Sequence, residues 1–187
     1  MSAETKAVPL LSESDEWHIY LQFRIFDKNQ TMPEVKLSEY ETERHKPMPS
    51  LNHSIIQANL IRELGLSYKK KYRIASELSL DLSDWPSVPD ICIYPKMPLD
   101  LRQDVTTMTD PPLCAIEIIS PSQTLNELVD KAGKYFEHGV RSCWIVLLPL
   151  GNIYVFSSPD DYEMFRATET LKDPALDISL PLAEVFE

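Results

Sequence analysis

Residues 113–120 read LCAIEIIS and residues 142–148 read SCWIVLL; between them, residues 123–137 read QTLNELVDKAGKYFE. The two outer runs are apolar without alternation, as strands covered on both faces are. The middle run sets Leu125, Leu128, Val129, Ala132, Tyr135 and Phe136 at helical spacing, with Pro121 and Ser122 opening the helix and Gly139 ending it. Strand, helix, strand at these lengths form a β-α-β unit, so the two strands are expected to be parallel and joined by a right-handed crossover.

Working outward, the turn LPLGN leads to Asn152–Phe156 (NIYVF), a hairpin partner of the second strand, and Glu163–Ala167 adds an edge strand. Upstream, Asp90 heads a short apolar strand, ICIY, directly after Val88-Pro89. Ile74–Leu82 (IASELSLDL) alternates, with Ile74, Leu78, Leu80 and Leu82 on one parity and Glu77 on the other, and DWPSVP turns the chain toward Asp90. Residues 95–112 form a Pro-rich loop. Asn52–Leu64 predicts a helix with Asn52 or Ser54 as cap and Gly65 as its stop. Further upstream, residues 35–45 suggest a short helix. Trp17, Ile19, Leu21, Phe23 and Ile25 share one parity, as on a half-buried strand, and residues 1–16 read as a polar arm. The organisation is therefore an arm over 1–16 and a single domain over 17–187. Its class is α/β to α+β, a mixed sheet flanked by helices.

Composition narrows the function. The chain of 187 residues carries 18 Lys and Arg against 29 Asp and Glu, a net charge of −11, so bulk charge does not attract nucleic acid or an anionic membrane. Tyr68–Arg73 (YKKKYR) is the one concentrated basic run: Lys69, Lys70, Lys71 and Arg73 are either a solvated face or a contact to a phosphate backbone. With 4 glycines and no GxGxxG or GxxxxGK[ST], no phosphate-cradling loop is available, and no organic cofactor is expected. No apolar run approaches membrane-spanning length, and the N-terminus lacks the pattern of a signal peptide. Cys92, Cys114 and Cys143 are widely spaced in apolar runs and read as buried small hydrophobes. A soluble protein of a reducing cytoplasm is expected.

Three residues stand out chemically. Glu117 is the only charge in a central apolar strand; burying it alone is costly, so it is either paired with a buried cation or a ligand of a metal. Asp90 is either a turn residue or a second carboxylate at the edge of the same sheet. Two converging carboxylates form a hard-oxygen site suited to Mg²⁺. On the helix 123–137, Lys134 points away from the apolar face, whereas Lys131 lies at its margin between Leu128 and Tyr135. Lys131 either snorkels to water or turns toward Glu117. Two acids, a lysine and a divalent cation are what phosphodiester hydrolysis uses: the metal activates water, and the lysine places that water or meets transition-state charge.

The run VPD-ICIY, P-LCAIEIISPS, DKAGKYFEHGV-RSCWIV resembles the Uma-two family, a branch of the PD-(D/E)XK restriction-endonuclease-like superfamily. The resemblance begins near MPSLNHSIIQANLIREL and runs to about Phe156. It implies a restriction-endonuclease-like fold with an additional N-terminal strand and a C-terminal hairpin. It further implies Mg²⁺, with Mn²⁺ as a substitute, held by Asp90, Glu117 and the main-chain oxygen of Ile118. The superfamily's usual lysine position is Ile119 here; the resemblance moves the lysine to the following helix, in agreement with Lys131. His53 matches a family histidine, Ser120 and Ser122 match its S-P-S turn, Tyr135 completes K-x-x-x-Y, and Glu77 stands as an accessory acid. Two departures are visible: the family's early acidic pair with glycine is missing, leaving Glu39 or Glu41, and the Trp strand ends Val-Leu-Leu-Pro at 146–149. The activity implied is Mg²⁺-dependent endonucleolytic cleavage of nucleic acid, DNA first, with a homodimer where both strands of a duplex are cut. Two other readings stand beside it. One is a non-cleaving nucleic-acid-binding or protein-interaction module on the same fold; the other is a buried ion-pair network with no metal affinity.

Overall fold

The structure is a computed structural model that describes residues 49–121 and 123–187, all within one compact unit of the chain. The expected arm over 1–16, the strand at Trp17–Phe26, the short helix at 35–45 and Ser122 lie outside the described residues. The elements run α1 (Leu51–Tyr68), β1 (Tyr72–Ser76), β2 (Ser79–Leu82), β3 (Trp85–Ser87), β4 (Ile91–Pro95), β5 (Thr107–Met108), β6 (Cys114–Ile118), α2 (Leu125–Glu137) and β7 (Ser142–Leu147). After a 3-10 turn over Leu148–Leu150 come β8 (Asn152–Ser158), β9 (Asp161–Arg166), β10 (Thr170–Asp173), β11 (Ile178–Pro181) and α3 (Ala183–Phe186).

Six strands form the main sheet in the order β1-β4-β6-β7-β8-β9. Strands β6 and β7 are parallel, joined by α2, and every other pairing in this sheet is antiparallel. The mixed sheet with helices is the α+β class the sequence implies. Every residue of β6 and of β7 is buried, which explains their lack of alternation: each strand has a core on either side. On one face, Ile91, Ile93, Ile116, Ile118, Trp144 and Val146 pack on Ile56, Leu60 and Leu64 of α1 and on the β10–β11 hairpin. On the other, Cys92, Ala115, Cys143, Ile145 and Leu147 pack on Leu128, Ala132 and Tyr135 of α2 and on Leu80 and Leu82 of β2. Removing a fully buried leucine such as Leu60 costs about 2–5 kcal/mol. All three cysteines are buried and free.

Several local expectations are corrected. Helix α1 does not stop at Gly65 but continues to Tyr68, and its cap is Ser50, whose side chain accepts from the His53 amide. The extra turn is held by tertiary contact: Tyr68 Oη donates to Ser179 O at 2.9 Å and accepts from Ser179 N at 2.6 Å. These bonds offset the roughly 1 kcal/mol that an internal glycine costs a helix. Helix α2 begins two residues into its expected span, at Leu125. Thr124 caps it in a reciprocal capping box with Glu127, so neither Pro121 nor Ser122 opens it. The alternating segment Ile74–Leu82 is two strands, not one. Glu77 lies between them with φ +53°, and β2 leaves the main sheet to join β3 and β5. The turn DWPSVP contains β3, the Pro-rich loop contains β5, and the tail adds the hairpin β10–β11. Among the described residues no helix is long and apolar enough to cross a membrane.

Candidate active site

The pairing of β4 with β6 brings the two carboxylates together. Its register is Ile91↔Ile116, Cys92↔Ala115 and Ile93↔Cys114, and one further step sets Asp90 opposite Glu117. Opposed residues on antiparallel strands share a face, with Cβ atoms about 4.5–5.5 Å apart. Glu117 has the parity of Ala115, on the face covered by α2, while Asp90 stands just before β4 and its carboxylate is met by His53 of α1. Asp90 is 1% exposed and Glu117 2%. The two strands are also tied at this point through a side chain: the amide of Ile118 donates to Asp90 Oδ2 at 2.6 Å.

Lys131 arrives from α2. Its Nζ stands 2.8 Å from Glu117 Oε1, and its side chain keeps 25% exposure. The residue at the margin of the helix's apolar face thus turns toward the sheet, while Lys134 lies against the ring of Trp85. Tyr135, one turn along, donates its hydroxyl to the same Oε1 at 2.7 Å, and Ser87 Oγ lies 2.7 Å from Tyr135 Oη. Burial holds the Glu117 carboxyl above its ordinary value. The Lys131 ammonium pulls it back down, the Asp90 charge pushes it up, and the hydrogen bonds from Lys131 and Tyr135 lower it. Burial, then the Glu117 charge, raises the Tyr135 phenol.

From α1, His53 reaches Asp90 with Nε2 3.2 Å from Oδ1. Its Nδ1 is buried without a hydrogen-bond partner among the described residues. Gln57, one turn on, donates to the Asp90 carbonyl at 2.8 Å and to Glu77 Oε1 at 3.3 Å, and the Glu77 amide also donates to that carbonyl, at 3.2 Å. Glu77 is therefore a loop residue beside the main chain of Asp90, not an acid on a strand. Ser120 directs its amide and hydroxyl to Gln123 Oε1, at 3.1 and 2.9 Å.

The basic run is elsewhere. Arg73 pairs with Tyr94 and Tyr72 with Pro95, four rungs from Asp90, or about 13 Å along the strand. Lys71 Nζ bonds to Leu176 O and Asp177 Oδ2, and Arg73 Nε to Met97 O. Lys69 and Lys70 are exposed. The structure brings together Asp90, Glu117, Ile118, Lys131, Tyr135 and His53, sets Glu77 and Ser120 beside them, and leaves Lys69, Lys70, Lys71 and Arg73 at the other end of β4. Ser87 and Gln57 escape sequence reasoning. Ser87 sits in what reads as a plain turn, and its partner is 48 residues away. The signal for Gln57 is its position one turn after His53.

The donor set can be tested against a metal. Among the described residues no group of three or more His, Cys, Asp and Glu side chains is placed to hold an ion, which is the number a closed zinc site needs. Two opposed carboxylates suit Mg²⁺ or Mn²⁺, since Mg²⁺ commonly takes one or two carboxylates and completes its shell with water and phosphate oxygens. The residues present fit such an ion.

A family model described as Uma2, putative restriction endonuclease, matches residues 19–183. Among solved structures, a putative nuclease of the DUF820 group from Anabaena variabilis ATCC 29413 is similar, with a TM-score of 0.65 and 22% identity over 75% of this chain and 83% of that one. At that identity the likeness speaks to the fold. No curated protein matches.

Proposed function

The chain belongs to the Uma2 family of putative restriction endonucleases, and from that premise we propose that it is a Mg²⁺-dependent endonuclease hydrolysing phosphodiester bonds of nucleic acid, DNA in the first instance. The observation that carries the reading is the set Asp90, Glu117 and Lys131: two opposed buried carboxylates and an ammonium 2.8 Å from one of them. Asp90 and Glu117 would hold the ion, with the main-chain oxygen of Ile118 as a further ligand. A divalent cation held there supplies Lewis-acid polarisation of the phosphate and a bound water of lowered pKa. Lys131 has a way out of its pair. With a quarter of its side chain exposed, its Nζ can swing from Glu117 Oε1 to a phosphate oxygen and meet the negative charge that grows during in-line attack. His53 orients Asp90 from the other side. Water adds to phosphorus as one sugar oxygen leaves with a proton. Cutting both strands of a duplex would use one site from each of two chains.

The test is cleavage of supercoiled plasmid, single strands and structured RNA with Mg²⁺ or Mn²⁺, wild type beside Glu117→Ala and Lys131→Ala. Metal-dependent cutting lost in both variants is expected. Cutting that survives in Lys131→Ala would remove the lysine from its role. Metal binding without cutting on any substrate would leave a non-cleaving nucleic-acid-binding module.

A further inference from the structure

We propose that Tyr135, backed by Ser87, is the positioning residue that holds Glu117 for a divalent cation while Lys131 is free to leave; the inference rests on the nuclease reading and deepens it. Both donors to Glu117 use one oxygen, Oε1: Tyr135 at 2.7 Å and Lys131 at 2.8 Å. They differ in every other respect. Lys131 carries a charge, which a neighbouring cation repels, and its side chain is 25% exposed. Tyr135 is neutral and fully buried. Its ring is wedged edge-on against Trp85, with centroids 5.0 Å apart at 69°.

The hydrogens fix the direction of the chain. A carboxylate only accepts, so the Tyr135 proton is spent on Glu117, and the Tyr135 oxygen must accept from the Ser87 hydroxyl. Ser87 is itself buried and sits on β3, the strand that pairs with β2. A run of O–H donors thus leads from the smaller sheet to Oε1 and pins one carboxylate oxygen from behind. Such outer hydrogen bonds to a metal-binding carboxylate fix its orientation, and losing one typically weakens metal affinity about 10–100-fold.

The test uses the full chain and reads Mn²⁺ affinity by calorimetry, together with cleavage kinetics and thermal unfolding. Tyr135→Phe keeps the ring and deletes the hydroxyl. It is expected to weaken Mn²⁺ binding about tenfold or more, and to lower kcat with KM for nucleic acid unchanged. Ser87→Ala should follow in the same direction with a smaller loss, and Ser87→Thr should restore the wild-type value. Tyr135→Phe that binds Mn²⁺ like wild type, whether or not its melting temperature falls, would make the hydroxyls merely structural and overturn the inference while leaving the nuclease reading intact. Wild type that binds Mn²⁺ but never cuts, with affinity still lost in Tyr135→Phe, would overturn the nuclease reading and support the positioning role. Wild type with no Mn²⁺ affinity would overturn both.

Discussion

Glu117 is 2% exposed and Asp173 1% exposed, the first on the main sheet and the second on the β10–β11 hairpin packed against that sheet's opposite face, and their surroundings are opposite in kind. Asp173 accepts from Ser142 Oγ at 2.7 Å, Trp144 Nε1 at 2.8 Å and Leu176 N at 3.2 Å. All three donors are neutral and belong to the buried scaffold; this carboxylate closes the C-terminal hairpin onto β7. Glu117 leans on a quarter-exposed lysine and a phenol, and lies near a second carboxylate. Equal burial therefore means different things. A carboxylate ringed by neutral donors is a tie, and one crowded by like charge with an exchangeable cation beside it is a site.

That contrast can be broken or sharpened by substitution. The largest effect is expected on cleavage from Glu117→Ala or Asp90→Ala. Loss of a metal ligand removes several kcal/mol of transition-state stabilisation, about a thousandfold or more in rate, with the fold retained by circular dichroism. Asp173→Asn should do the reverse. Its amide cannot accept from all three donors, so urea unfolding should show a loss of about 3 kcal/mol, while Mn²⁺ affinity of the folded chain is unchanged.

A smaller effect follows from the direction of the Glu117 shift. Its folded-state value lies above the ordinary 4.5, so the native state binds that proton more tightly than the unfolded chain does. The stability this contributes is fully present below that ordinary value and is lost as pH rises through the raised one. Glu117→Gln removes that slope. Without metal, the variant should gain on wild type as pH rises from acid to neutral, measured by paired urea melts. The smallest effect belongs to the basic run. Lys69→Ala and Lys70→Ala lie far from the site and should leave stability within about 0.5 kcal/mol and cleavage unchanged; a large loss of cleavage would place a phosphate track at that end of β4.

Much of the architecture was legible because it depends on local patterns. Apolar runs without alternation marked β6 and β7 as doubly covered, and the helix between them made the pair parallel. Glu117 was visible as a lone charge where a strand had no water, and Lys131 by its angle on α2. What escaped depends on partners distant in sequence. Gly65 signals a stop, but Tyr68 is held by Ser179 and carries the helix on. The run KKKYR shows its charge and not its partners, and Asp177 with two carbonyls occupies part of it. Ser87 looks like any turn serine until α2 sets Tyr135 against it. The capping box of Thr124 and Glu127 was in the sequence to be read, but the Ser-Pro-Ser turn before it offered a rival start.

On this reading Asp90 and Glu117 form a cation site and Asp173 does not. Calorimetric titration of Mn²⁺ into wild type, Asp90→Ala, Glu117→Ala and Asp173→Asn tests it most directly. Saturable binding in wild type and in Asp173→Asn, absent from Asp90→Ala and Glu117→Ala while both remain folded, is the expected result. Binding that survives the loss of Glu117, or wild type that takes up no Mn²⁺, would contradict the account and leave Glu117 and Lys131 as a buried ion pair.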